Sequence, residues 1–148
     1  MQIVELEIKS HLKVELEIKS YPKLTSEKEF IQKAINVVKK YSPKIYSYVS
    51  KEDVISNLKK YEIKIISSSG IDKKEVKKVL SLWLGKEKVK RFVYSLLELL
   101  VFPFTALLTP IPGPNVAFFS VVILFYFHFR GFLNLKGVKI DDLKVIYE

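Results

Sequence analysis

Between Phe92 and Phe129 the only formally charged residue is Glu98, whereas elsewhere in the chain roughly one residue in three carries a charge. Such a block is more stable against lipid tails or a protein interior than against water. It divides into two runs. Phe92–Leu108 comes first, and Val116–Phe129, extendable through Leu133, comes second. Between them, Thr109–Asn115 contains Pro110, Pro112, Gly113 and Pro114, which cannot continue a regular helix because three amide donors are missing. The expectation is a helical hairpin over 92–133 with its turn at 109–115. A spanning helix needs about 20 apolar residues for a core about 30 Å thick. Both runs are a little short, so three arrangements stay open: two short spanning helices, a re-entrant hairpin, and a buried helix pair in water. The spanning pair is favoured, because a helix in a water-soluble protein keeps one polar face and these look apolar nearly all round.

The excess charge lies on one side of that block. Residues 1–91 hold 21 Lys/Arg against 12 Asp/Glu, and residues 92–148 hold 4 of each. Arg91 and Arg130 are the only arginines. Proteins that read nucleic acid lean on arginine for bidentate contacts, so no nucleic-acid partner is expected. Lysine-rich surfaces suit loose attraction to anionic lipid headgroups, and Lys86, Lys88, Lys90 and Arg91 are the expected contacts. Basic residues flank both ends of the block but are missing from the proline turn. The positive-inside rule then puts both termini on the cytoplasmic or matrix side. The first 20 residues show neither a basic-then-apolar secretory pattern nor the acid-poor composition of a transit peptide. There is no cysteine, which excludes disulfide and thiolate chemistry.

The segment Val4–Ser10 recurs unchanged as Val14–Ser20, and each copy alternates apolar and charged residues with the period of a strand. Strands are expected at 3–9, 12–19 and 61–68, with Leu143–Tyr147 as a further candidate. Ser26 to Glu29 reads as a capping box that opens a helix over 26–41. Ser42-Pro43 reads as its end, and a shorter helix is expected over 50–60. Asp72 then opens a lysine-rich helix. The fold class that results is α+β: a small antiparallel sheet with helices, followed by a two-helix transmembrane hairpin. Its parts are a basic α+β domain at 1–71, a basic juxtamembrane helix at 72–91, the hairpin at 92–133 and a tail at 134–148.

Glu98 lies about 10 Å beyond Arg91 along a helix. An ionised carboxylate there costs about 3 kcal/mol on insertion scales, so it should be paired or protonated. Folding the hairpin about Pro112 brings His128 and Arg130 to a similar depth. Glu98, His128 and Arg130 therefore form a candidate intramembrane ionisable cluster, in which Glu98 faces His128 or Arg130. Such a pair either clamps helix register or marks an ion-linked site. No metal-ligand spacing, phosphate-binding glycine loop or nucleophile elbow is present, so no metal, no cofactor and no enzymatic activity are expected.

The stretch Leu108–Val116, with its Pro-Gly-Pro-Asn turn, followed by Leu124–Gly131 with His128-x-Arg130, resembles the signature region of the mitochondrial K+/H+ exchange-related family. The resemblance covers some 25–30 residues and marks Pro112, Gly113, Pro114, Asn115, His128 and Arg130 as matching positions. It implies a membrane protein associated with potassium/proton exchange, in a prokaryotic plasma membrane or, in a eukaryote, the mitochondrial inner membrane. Two helices alone cannot enclose a conduit. The expected partners are therefore the bilayer, anionic headgroups, and a homo-oligomer or larger membrane complex. An accessory or regulatory role is the first expectation; a membrane-anchored interaction module without transport is the alternative.

Overall fold

A computed structural model describes residues 3–9, 13–17, 21–67, 73–107 and 115–147. Strands β1 (Ile3–Lys9) and β2 (Lys13–Glu17) are followed by helices α1 (Glu29–Tyr41) and α2 (Pro43–Ser56) and strand β3 (Glu62–Ser67). Helices α3 (Lys73–Ala106) and α4 (Val116–Leu135) and strand β4 (Lys144–Tyr147) complete the order.

The four strands form one sheet in the order β2-β1-β3-β4. The expectation of a small antiparallel sheet is overturned. Only β1 and β2 are antiparallel, while β1–β3 and β3–β4 are both parallel. Connection length explains the difference. The link from β1 to β2 is short enough for a hairpin. After α1 and α2, β3 starts at the end where β2 stops and pairs with β1, which makes β1–β3 parallel. The connection from β3 to β4 carries α3 and α4, long enough to return the chain to the end where β3 began.

Three boundaries also differ from the sequence reading. α1 is capped two residues later than the Ser26 box implies: Lys28 is its N-cap residue and makes no side-chain cap bond. Ser26 instead accepts from the Lys28 amide at 3.2 Å and donates its own amide to Gln32 Oε1 at 2.9 Å. α2 begins at Pro43 and not near Ser50. A proline at the first helical position loses no bond, since that amide would be unpaired anyway, so Pro43 starts one helix while ending another. Finally, α3 is continuous through residues 91 and 92, so the expected juxtamembrane helix and the first apolar run are one element. The strand continuation at 18–19, the Asp72 cap and Pro110, Pro112, Gly113 and Pro114 lie outside the described residues.

Among the described residues one helix, α4, is long and apolar enough to cross a membrane. The expected pair of transmembrane helices is thereby corrected. The apolar half of α3 carries Glu98, starts beside Lys90 and Arg91, and holds Pro103 inside the helix. Pro103 has no amide to offer the Leu99 carbonyl one turn earlier.

Two cores hold the elements. Beside the sheet, Leu6, Ile63 and Ile65 pack with Val76, Leu80 and Leu84 of α3, Val54 and Ile55 of α2, Leu135 at the end of α4, and Val138 and Ile140 beyond it. The second core is helical. Ile31, Ala34, Ile35 and Val38 of α1 and Val49 of α2 close on Val122, Ile123 and Phe127 of α4. α4 therefore packs against α1, α2 and α3.

Candidate functional site

The seam between α2, α3 and α4 is polar. Residues Arg91, Ser95 and Thr105 of α3 are buried, as are Ser120 and His128 of α4 and Ser50, Glu52 and Ser56 of α2. Spacings of three, four and seven residues put Arg91, Ser95, Glu98 and Thr105 on one side of α3.

Glu98 and His128 meet there, with Glu98 Oε1 2.5 Å from His128 Nδ1. The other ring nitrogen, Nε2, lies 3.0 Å from the Tyr48 hydroxyl on α2. The rings of Tyr48 and Tyr94 flank the imidazole at 5.7 and 5.5 Å. With Nδ1–H donated to the carboxylate, Nε2 is the acceptor for the Tyr48 O–H. Burial, reinforced by the nearby charge of Glu52, raises the Tyr48 phenol well above its ordinary value of 10.0 and keeps it protonated. A second proton on the ring would turn Nε2 into a donor and force the phenol to reorient. The row can thus exist in two hydrogen-bonded states that differ by one charge. Glu98 Oε2 is buried without a hydrogen-bond partner among the described residues, so the carboxylate has one oxygen uncommitted.

Arg130 does not join this row. Residues 128 and 130 stand about 200° apart around a helix, so they cannot both face α3. Arg130 is turned outward, 3.4 Å from the Tyr126 hydroxyl and over its ring.

Nearer the sheet lies a second cluster. Arg91 is 0% exposed and every nitrogen of its guanidinium is engaged. Nε donates to Ser56 Oγ at 3.3 Å. Nη1 reaches the Glu87 carbonyl at 3.1 Å and Glu87 Oε2 at 2.6 Å. Nη2 donates to the Glu52 carbonyl at 3.2 Å and lies 2.5 Å from Glu52 Oε2, an ion pair that falls off the line of a hydrogen bond. Lys90 bridges the same two carboxylates, 3.0 Å from Glu52 and 3.1 Å from Glu87. Two cations face two anions, which is what makes burial of the group tolerable.

The structure gives the four residues expected at lipid headgroups different surroundings. Arg91 is sealed inside the protein and Lys90 is held by two glutamates. Lys88 donates to the Val138 carbonyl at 2.6 Å. Of the four, Lys86 is exposed. Asn115, expected in the turn, caps α4: its Oδ1 accepts from the Phe118 amide at 2.9 Å, and its Nδ2 donates to the Thr105 carbonyl at 3.3 Å, tying the hairpin's two arms.

Tyr48, Glu52, Glu87 and Gly131 were not singled out from sequence. A Cβ at Gly131 would lie 2.3 Å from Ser56 Oγ and 3.1 Å from Arg91, so α4 approaches the cluster only because this position lacks a side chain. A signal for the cluster was available, namely polar residues 91, 95, 98 and 105 recurring at helical spacing inside an apolar run.

The two sides of the seam have different surroundings. Outward from residues 92–107 at the C-terminal end of α3, the surface is apolar. Beyond α4 lies α1, whose exposed face carries Glu29, Lys33, Lys39 and Lys40. α1 sits beside the half of α4 nearest the hairpin turn, with Phe30 against Phe118 and Phe119. Carrying that half to the middle of a bilayer in this fold would take α1 with it, at about 3 kcal/mol for each such charge.

No curated protein and no solved structure matches the chain. A family does, over residues 8–140, which include both clusters: the chain belongs to the family described as mitochondrial K+-H+ exchange-related.

Proposed function

We propose that this protein is a membrane-associated accessory or regulatory component of potassium/proton exchange, and that the Glu98–His128–Tyr48 row is its proton-responsive element. The observation that carries the proposal is the row itself. It is a carboxylate, an imidazole and a phenol in series, enclosed by three helices, with one carboxylate oxygen uncommitted. Family membership supports the ion class, and the apolar α4 together with the apolar outer face of α3 supports a membrane setting. Proton uptake by the row would change the charge facing α2. Four residues after Tyr48, α2 carries Glu52, which ties it to Arg91 and Lys90. A protonation event beside the apolar half of α3 is thereby linked to the ion cluster next to the sheet.

The test is potassium-dependent proton movement, read by an entrapped pH dye in membrane vesicles from cells producing the full chain. Glu98→Gln keeps the shape of the row and removes its charge; His128→Ala breaks it. The expected result is that the potassium-dependent component falls at least tenfold in both variants, with membrane content unchanged. Unaltered flux in both would overturn the proposal in favour of a membrane-anchored interaction module with no transport role.

A further inference from the structure

From Lys73 to Leu84, α3 follows the rule for a helix in water. Val76, Leu80 and Leu84 are buried, and Lys74, Lys77 and Lys78 are exposed. The same stripe continues along the helix to Arg91, Ser95 and Thr105, which are also buried. Its chemistry has changed: the inner face is now polar and the outer face apolar. Val93, Leu96, Leu97, Leu100, Phe104 and Leu107 are all exposed, Leu100 at 69%, Phe104 at 71% and Leu107 at 75%. Water penalises this arrangement, and hydrocarbon favours it. A docked protein partner could also cover an apolar face, but two further features favour lipid.

The first is charge. Lys86 is exposed and, seven residues before Val93, stands on the same side of the helix about 10 Å away. A lysine there can lay its alkyl stem beside the apolar face and place its ammonium among the headgroups, which suits an anionic surface. The second is the other side of the molecule. With α4 between them, the charged outer face of α1 points away from the apolar face of α3. The polarity of the helical layer thus runs from apolar to charged across its thickness, as expected of a body seated on one surface of a bilayer.

We infer that residues 92–107 of α3 form a membrane-docking face that enters one leaflet of an anionic bilayer, with Lys86 at the headgroups and α1 in water. This deepens the proposed function by fixing the geometry of membrane association, and it rests on that reading only for the membrane setting. In the docked form α3, α4 and α1 are all on one side of the bilayer.

Single cysteines placed at Lys33, Lys86, Leu100 and Ala117 of the cysteine-free full-length chain test this on sealed phosphatidylcholine vesicles containing phosphatidylglycerol. A fluorophore on Leu100→Cys is expected to be quenched by brominated acyl chains. Lys33→Cys, Lys86→Cys and Ala117→Cys are all expected to react with an impermeant maleimide added outside. Leu97→Glu/Leu100→Glu should weaken vesicle partitioning at least tenfold with an unchanged far-UV spectrum, and Lys86→Gln should weaken binding to anionic but not to neutral vesicles. Labelling of Ala117→Cys only after the vesicles are opened would overturn the inference in favour of a crossing hairpin. Absence of lipid quenching at Leu100→Cys, with disulfide-linked dimers formed there, would overturn it in favour of a second copy of the chain. Either outcome leaves the flux test of Glu98 standing, and loss of the flux effect leaves the labelling pattern standing.

Discussion

Gly131 decides how closely α4 can approach α2 and α3. Helix propensity alone favours alanine over glycine there by about 1 kcal/mol. Packing reverses the sign. The added Cβ would meet Ser56 Oγ, which is held by donating to the Glu52 carbonyl at 2.7 Å and by accepting from Arg91. Gly131→Ala should therefore destabilise by about 1–3 kcal/mol in thermal or denaturant unfolding, and Ser56→Ala in the same chain should recover part of the loss. Asp53 offers a second residue-level test. Burial raises its carboxyl above the ordinary 3.8, opposed by Arg130, Lys60 and the Asn57 amide. The folded chain then holds a proton that the unfolded chain has already released. That contribution to stability is complete below 3.8 and is lost as pH rises through the folded value. Asp53→Asn should flatten this part of the pH profile and gain stability relative to the parent toward neutral pH. Unfolding midpoints of both chains from about pH 3.5 to 7 measure the difference.

At the scale of elements, the informative contrast lies within α1. Ile35 is sealed between α1 and α4, whereas Phe30 is half exposed although it touches Phe118 and Phe119. Truncating Ile35 to alanine leaves a cavity and should cost about 2–5 kcal/mol. Phe30→Ala should cost clearly less, because it gives up contacts from a position water already reaches. Comparable losses for the two, by the same unfolding measurement, would mean that α1 does not seat on α4 in this way. The elements also show why boundaries were harder to read than element types. Pro43 serves as a stop for α1 and a start for α2. Helical periodicity runs on without interruption from Lys73 to Ala106 while the composition around it changes, which invites a division at residue 91 that the backbone does not make.

For the whole molecule, the sequence by itself determined that one stretch is apolar, that a single acid in it needs a partner, and that His128 and Arg130 lie at a similar depth if a hairpin folds about Pro112. Apolarity, a lone charge and prolines act locally, so they are legible residue by residue. Arg130 could be placed only once helical phase was known, because a two-residue offset sends it to the opposite side from His128. The sheet's mixed topology, the burial of Arg91 and the packing of α1 against α4 were decided by tertiary structure alone. Each depends on which elements meet across long stretches of chain, and Arg91 offers the clearest instance. At the edge of an apolar block it reads as a headgroup contact, yet Glu52, 39 residues earlier, supplies the countercharge that draws it inside. Burial of an ion is settled by the company it finds, and that company is fixed only when distant segments pack.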